Sequence, residues 1–253
     1  MGRMHALEES PWIDPVLIPI ASLQTGYQHF DHIKSCRYPG NDFFLDLGVF
    51  FAYSTDISFE LEGRATRTHS HGFALDQVKQ AARYAILDDA RGDPCALTVG
   101  LELCEPISPF GLKDPSFIHH ALFEAEVHTS IGKEWIIEDS RTGYIYGLGA
   151  VGIGIQGSPW IRGNFTAAYN LSTLQILTAS LDAEMGFGER SFHLPHFHGY
   201  GDIAYRLIDA SIEYTYLTED FEVSLKYLHS LYRKNCPNHL HQVALNISYP
   251  FNL

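Results

Sequence analysis

Residues 57–66 read Ile-Ser-Phe-Glu-Leu-Glu-Gly-Arg-Ala-Thr, a stretch in which apolar or small residues alternate strictly with polar ones. Successive side chains of a β-strand point to opposite faces, so this stretch predicts a strand with one apolar and one charged face. The same period of two recurs in nine further segments, 42–54, 78–86, 97–103, 121–128, 161–170, 177–185, 208–216, 221–227 and 243–252. Residues 17–30 and 144–157 alternate more weakly, and together these segments predict about twelve strands and an all-β fold.

Two segments leave the assignment of secondary structure open. Residues 74–87 also suit an amphipathic helix, and we predict a strand there because alternating segments lie on both sides. Residues 129–143 either extend a strand or add a hairpin around Trp135.

Composition and organisation narrow the class of protein. The 253 residues carry a formal net charge of −13, which argues against a nucleic-acid-binding surface because such a surface needs clustered Lys and Arg. No run of 18 apolar residues occurs, which excludes a transmembrane helix. No linker divides the chain, so we predict one domain over residues 16–253. Residues 1–15 form a separate segment, whose first six residues are compatible with the remnant of a signal that ends at Ala6.

The alternation fits two opposite kinds of barrel. In a soluble barrel the apolar face points inward, whereas in a membrane-spanning barrel it faces lipid and the polar face lines the lumen. The apolar tracks span about 9–11 residues, the length that crosses a bilayer when a strand is tilted. They contain small residues such as Gly63 and Ala179, although a packed core needs volume. Aromatic residues such as Tyr53 and Trp160 lie towards strand ends, and all three features favour the membrane barrel.

The last strand resembles a known class. Residues 243–253 read Val-Ala-Leu-Asn-Ile-Ser-Tyr-Pro-Phe-Asn-Leu, a pattern similar to the C-terminal strand of the outer-membrane β-barrel proteins of Gram-negative bacteria. In that family an alternating strand that usually ends in Phe is the tag read by the barrel-assembly machinery. Tyr249 and Phe251 match the tag, whereas Pro250 and the terminal Leu253 depart from it. The resemblance implies that residues 240–253 are recognised by that machinery.

The resemblance also implies a location and a topology. It implies a single antiparallel up-and-down transmembrane β-barrel in a bacterial outer membrane, in contact with lipid, with both termini and residues 1–15 in the periplasm. Short periplasmic turns and longer outer loops are typical of this class. We expect the turns at Thr55-Asp56, Leu171-Ser172 and Thr218-Glu219, and the loops at 31–41, 69–75, 105–115, 186–201 and 233–239. The connections at 88–95 and 157–159 fit this alternation less well.

The polar strand faces predict which residues line the pore. Acidic residues outnumber basic ones by eleven to five, and a negative interior would favour cations. The alternative is a plugged lumen in which opposite charges cross-link the wall. The predicted pore-lining residues are Asp46, Glu60, Glu62, Arg64, Lys79, Arg83, Glu102, Glu124, Glu126, Arg162, Asp182, Glu184, Asp209, Glu213, Glu222 and Lys226.

We therefore predict a porin-like passive channel for small solutes, with no enzymatic activity and no cofactor. The first alternative is an outer-membrane lipid-modifying hydrolase, because Glu124, Glu126 and His128 alternate onto one face near Ser130 as a candidate general-base cluster. No Gly-x-Ser-x-Gly nucleophile motif accompanies them. The second alternative is a soluble β-barrel that binds a ligand.

Histidine and cysteine residues provide two further candidates. His193, His196 and His198 have a spacing that can hold a transition metal, with aromatic packing of an irregular loop as the alternative. Cys36 and Cys236 fall in the first and last predicted outer loops, which a closed barrel brings together. We therefore predict a disulfide at the seam of the barrel.

Overall fold

The computed structural model describes residues 10–13, 16–34, 36–107, 113–137, 140–155 and 157–251. Twelve long antiparallel strands close into one barrel, and a further two-residue strand lies outside the ring. Within the described ranges, no helix is both long and apolar enough to span a membrane. The strands are β1 (Ile20–Ile33), β2 (Cys36–Ala52), β3 (Ile57–Arg67), β4 (Ala74–Leu87), β5 (Ala96–Pro106), β6 (Glu124–Ile137), β7 (Ser140–Gly154), β8 (Trp160–Ser172), β9 (Gln175–Gly186), β10 (Arg206–Leu217), β11 (Glu222–Lys234), the short β12 (Pro237–Asn238) and β13 (His241–Pro250).

The first strand closes the ring. β1 pairs with β2 on one side and with β13 on the other, so that Leu23 lies opposite both Leu47 and Ile247. The other long strands pair with their neighbours along the chain in up-and-down order. A closed ring leaves no unpaired strand edge, which is the condition for a sheet to lie in hydrocarbon.

Apolar side chains point out of the barrel and polar side chains point in. Phe59, Leu101 and Leu181 on the outer face are 50%, 45% and 44% exposed, whereas Asp46 and Thr166 on the inner face are each 1% exposed. This is the orientation predicted for a membrane barrel. It is the reverse of a soluble barrel, whose apolar residues pack together in a dry centre.

The two ends of the barrel differ in the length of their connections. The end of the barrel at which β1 begins and β13 ends is here called the terminal end. Its connections lie at 53–56, 88–95, 138–139, 173–174 and 218–221. The opposite end, here called the loop end, carries the longer connections 107–123 and 187–205, besides 34–35, 68–73, 155–159 and 235–240. The connection at 88–95 is the longest one at the terminal end and 155–159 is short for the loop end, so both fit the alternation less well, as expected.

Two predicted connections are wrong in position, while the strand predicted at 74–87 is confirmed. Residues 129–137 extend a strand, which is the first of the two alternatives for 129–143. The predicted loop at 31–41 is mostly strand, because β1 runs to Ile33, β2 starts at Cys36 and His32 pairs with Arg37. The outer face of this hairpin carries polar residues such as Arg37 and Asn41, so the apolar track of the outer face gives no signal there. The turn expected at Leu171-Ser172 lies two residues later, because β8 continues to Ser172.

Candidate functional site

The lumen is the candidate functional site, and all the charged residues predicted for the pore lie on inner strand faces. Most of the basic ones bind a carboxylate on a neighbouring or nearby strand. Lys226 lies opposite Glu213 in the strand register. Ion pairs join Asp46 to Arg64, Glu60 to Arg83, Lys79 to Glu102, Glu126 to Arg162 and Asp209 to Arg233.

Geometry makes two of these pairs rigid. Asp46 accepts two hydrogen bonds from Arg64, at 2.7 Å from Nε and 2.8 Å from Nη2, and this fork-to-fork contact fixes the guanidinium plane. Arg233 binds Asp209 in the same bidentate manner, and both side chains are less than a tenth exposed. Sequence reasoning placed residue 233 in a loop, so it missed this basic lumen residue. The lumen is therefore cross-linked by charges, as the plugged alternative expects, and it still keeps an excess of acids.

A segment from the loop end folds into the lumen. Residues 113–123, here called the inward segment, follow β5 and precede β6. The Asp114 carboxylate accepts hydrogen bonds from the hydroxyls of Thr68 and Ser70, and the Ser116 carbonyl accepts one from Gln28 Nε2 at 3.3 Å. Burial would raise the pKa of Asp114, but the hydrogen bonds from these hydroxyl groups hold it below its usual value. The segment is thus anchored to β1 and to the β3–β4 connection.

Two adjacent histidines complete the attachment of the inward segment. His119 Nε2 lies 3.0 Å from Asp76 Oδ2 of β4, and both side chains are buried. His120 lies between Glu124 and Glu184, with Nδ1 3.3 Å from one carboxylate and Nε2 3.4 Å from the other. The sequence does not single out this pair, because the contacts with Asp76 and Glu184 join residues far apart in the chain.

The environment of His120 favours its charged form. Burial would lower the pKa of His120, but hydrogen bonds to Glu124 and Glu184 outweigh it and raise the pKa to about 9. The imidazole ring stacks on the indole of Trp160, with ring centroids 3.8 Å apart and planes 5° from parallel. Tyr205 lies 2.5 Å from His120 Nε2 and donates its hydroxyl to Glu184. His120 therefore acts as a cation that links the inward segment to the wall of the barrel.

The terminal end of the lumen is crossed by residues 10–13, here called the strap. Trp12 is 6% exposed, donates its indole N–H to Asp89 Oδ1 at 2.7 Å and packs edge-on against Tyr144 and Tyr146. Ile13 packs against residues of β1 and β2 on the other side of the lumen. Strap carbonyls accept hydrogen bonds from Arg83 at 2.9 Å and from Thr98 at 2.6 Å. The prediction of a separate N-terminal segment at 1–15 remains a prediction, since only residues 10–13 of it are described.

The candidate general-base cluster does share one inner face of β6. Glu124 accepts hydrogen bonds from the backbone N–H groups of His120 at 2.6 Å and Ala121 at 3.2 Å. Glu126 binds Arg162 and accepts the indole N–H of Trp160 at 3.1 Å. Both carboxylates thus hold structural elements in place.

The histidine triplet does not form a metal site in the structure. His193 and His196 stack on each other with ring centroids 5.3 Å apart, which agrees with the alternative of aromatic loop packing. Among the described residues, no three His, Cys, Asp or Glu side chains are placed to hold a metal ion. A role for His193, His196 and His198 in metal binding remains a prediction without geometric support.

The two seam cysteines are free thiols. β1 lies between them, because Ile33 pairs with Cys36 on one side and with Pro237, the neighbour of Cys236, on the other. Burial raises the pKa of Cys236 to about 12, so its thiolate is disfavoured. The disulfide between Cys36 and Cys236 stays a prediction, and it would require movement of the seam.

Comparison with known proteins identifies the fold. No family model matches the sequence, and no curated protein matches it. An outer-membrane channel from Pseudomonas putida F1 superposes with a TM-score of 0.70 at 12% identity, covering 96% of this chain and 99% of that one. The NanC porin has a TM-score of 0.63 at 10% identity, covering 91% and 100% of the chains. The KdgM porin has a TM-score of 0.57 at 8% identity, covering 91% and 99%. At these identities the likeness shows the fold, which confirms the predicted class of barrel.

Proposed function

We propose that the protein is a porin-like channel for small solutes in a bacterial outer membrane, with a lumen that favours cations. The observation that carries this proposal is the combination of an apolar outer face with a charged inner face in which acids are in excess. Each basic residue predicted for the lumen lies beside an acid. The remaining carboxylates, among them Glu62 and Asp182, therefore set the sign of the interior potential.

The chemistry of one structural neighbour provides a contrast. A KdgM porin structure with a TM-score of 0.52 is described as a complex with oligogalacturonate, which is a polycarboxylate. An acid-rich lumen repels such a polyanion because like charges in a channel of low dielectric constant interact strongly. We therefore propose that this chain does not conduct acidic oligosaccharides.

Reversal potentials across a KCl gradient test the preference for cations. The protein is reconstituted in planar bilayers, and we expect a reversal potential of the sign that marks a higher permeability for K⁺. The double variant Glu62→Gln/Asp182→Asn should reduce this potential, because it removes two lumen charges. Glu105→Gln is the matched control, since it removes a charge on an exposed residue of β5. A preference for Cl⁻ in the unaltered protein would contradict the proposal.

We further propose that Glu124 and Glu126 hold structural elements and do not catalyse a reaction. Their hydrogen bonds to the inward segment, Arg162 and Trp160 support this view. Incubation with phospholipid micelles tests it, and we expect no hydrolysis. Hydrolysis that is abolished in His128→Ala would favour the lipid-modifying hydrolase instead.

We also propose that the C-terminal strand is recognised by the barrel-assembly machinery. Val243, Leu245 and Tyr249 of β13 lie on the exposed outer face in alternation, as the tag requires. Tyr249→Asp should lower the yield of folded barrel in cells more than it lowers refolding from urea into detergent micelles. Equal losses in the two measurements would contradict recognition of the strand.

A further inference from the structure

A cavity of about 250 Å³ lies in the lumen against the inward segment. Its wall carries basic residues from β3, β4 and β8 and acidic residues from β5, β6 and β9. It differs from the rest of the lumen because its charges balance. Four basic groups, counting the protonated His120, face four carboxylates, and these are Arg64, Lys79, His120 and Arg162 against Glu102, Glu124, Glu126 and Glu184.

Two of the basic groups are more exposed than the carboxylates that bind them. The Arg64 side chain is 28% exposed and its partner Asp46 is 1% exposed. Arg162 is likewise 25% exposed and its partner Glu126 8%. Asp46 occupies Nε and Nη2 of Arg64, so the edge of the guanidinium that carries Nη1 is the one left for a ligand. A buried carboxylate thus fixes a positive group at the surface of the cavity.

Lys79 provides the second positive group on the same side. Its ammonium is 3.2 Å from Glu102, its side chain is 35% exposed, and it carries three donors of which this contact uses one. It lies close to Arg64, because Lys79 pairs with Glu62 and Arg64 pairs with Gln77 in the register of β3 and β4. Two adjacent cations of this kind match the two oxygens of a carboxylate.

The opposite side of the cavity offers negative charge. Glu184 of β9 lies across the lumen from β3 and β4 and is held by Tyr205 and His120. The volume corresponds to about eight water molecules at roughly 30 Å³ each, which leaves room for a small amino acid together with a few water molecules. A ligand with one net charge would upset the balance of charges in the cavity, whereas a dipolar ligand without net charge preserves it.

We propose that this cavity binds a small zwitterion of amino-acid size, with its carboxylate against Arg64 and Lys79 and its ammonium group towards Glu184. The proposal rests on the proposed channel function, because the ligand reaches the cavity through the lumen. The class of solute that binds in the cavity during its passage through the channel is an α-amino acid with a short side chain.

Calorimetric titration of the purified protein in detergent tests the proposal with three probes of similar size. L-alanine carries both charges, propionate lacks the ammonium group and ethylammonium lacks the carboxylate. We expect L-alanine to bind, and each of the other two to bind about tenfold or more weakly, because each loses a charge-assisted hydrogen bond. Lys79→Gln should weaken the binding of L-alanine about tenfold or more. Lys226→Gln is the control, since that lumen lysine lies outside the cavity.

The outcomes separate this proposal from the channel function. Equal binding of propionate and L-alanine, equal binding of ethylammonium and L-alanine, or no binding of L-alanine each overturns the zwitterion site. A loss of affinity in Lys226→Gln equal to that in Lys79→Gln overturns it as well. Swelling of liposomes in the neutral sugar arabinose reports on conduction alone. Swelling without binding of L-alanine therefore leaves the channel function standing and removes only the proposed site.

Discussion

Replacing Trp12 by alanine is expected to open the terminal end of the lumen. The indole fills the space between Tyr144 and Tyr146 on one wall and bonds to Asp89 at the turn after β4. The rest of the strap is held by the packing of Ile13 and by hydrogen bonds to its carbonyls from Arg83 and Thr98. The indole is the larger of the two buried side chains, so it supplies the largest single share of the free energy that keeps the strap in place.

The magnitude follows from the burial of the indole. A tryptophan that is 6% exposed removes about 150–250 Å² from water, which corresponds to about 4–6 kcal/mol at roughly 25 cal/mol per Å². Truncation to alanine forfeits about 3–5 kcal/mol of this, since the walls relax only in part. Each 1.4 kcal/mol is about a factor of ten, so the population with the strap released should rise by roughly 10²- to 4 × 10³-fold.

Single-channel recordings in planar bilayers measure the effect. Trp12→Ala should raise the fraction of time in the conducting state, while the barrel keeps the difference in gel migration between heated and unheated samples. Trp135→Ala is the control, because Trp135 is 47% exposed on the outer face of β6. An unchanged fraction of time in the conducting state in Trp12→Ala, with the barrel intact, would refute the reasoning that the strap closes this end.

Three further perturbations have expected outcomes. Arg233→Gln should destabilise the barrel by about 3–5 kcal/mol, because it leaves the buried carboxylate of Asp209 without its partner. Arg190→Gln removes one partner of an exposed ion pair and should cost about 0–1 kcal/mol. Both effects are read from the temperature at which gel migration changes. Gly152→Ala should cost about 1–3 kcal/mol by the same assay, since its Cβ would lie 2.0 Å from the buried indole of Trp160. Gly149→Ala in the same strand is the control, because its Cβ would meet nothing within 4 Å. The pKa of His120 is raised to about 9 by its carboxylate neighbours, so the stabilisation it gives to the inward segment is complete below its unfolded pKa of about 6.5 and is lost as the pH rises through 9. Hydrogen exchange in residues 113–123 should therefore accelerate, beyond its intrinsic dependence on pH, between pH 6 and pH 9.5, and His120→Gln should abolish that excess.

The face of each side chain could be predicted from the sequence, because successive side chains of a strand alternate between its two faces. Once 57–66 is a strand, Glu60 and Arg64 must share a face, and the structure places both in the lumen. The ends of the strands were harder to predict wherever the outer face becomes polar. His32 and Arg37 pair across a tight hairpin, yet nothing in their composition separates them from a loop.

The partners of the lumen residues could not be predicted, because they depend on register and on the path of loops. Arg162 reaches Glu126 across β7, which requires the small residues of that strand as well as the pairing of three strands. The contacts of Trp12 with Asp89 and of His120 with Glu184 join segments that are 77 and 64 residues apart, so no local sequence pattern predicts them. The alternation along each strand therefore predicts which residues face the lumen. It does not predict which residues close the lumen.

The two ends of the lumen are closed by different chemistry, and this difference has a consequence for conduction. The strap is held mainly by apolar burial around Trp12, which does not depend on proton concentration. The inward segment is held by ionised and hydrogen-bonded groups, with His120 as the cation between Glu124 and Glu184. If the two closures act in series, the current through the unaltered protein is limited by the strap and depends little on pH. Removing the indole transfers control to the inward segment, so the current through Trp12→Ala should rise with pH as His120 loses its proton. A pH dependence that is the same in both proteins would show that the two ends do not act in series.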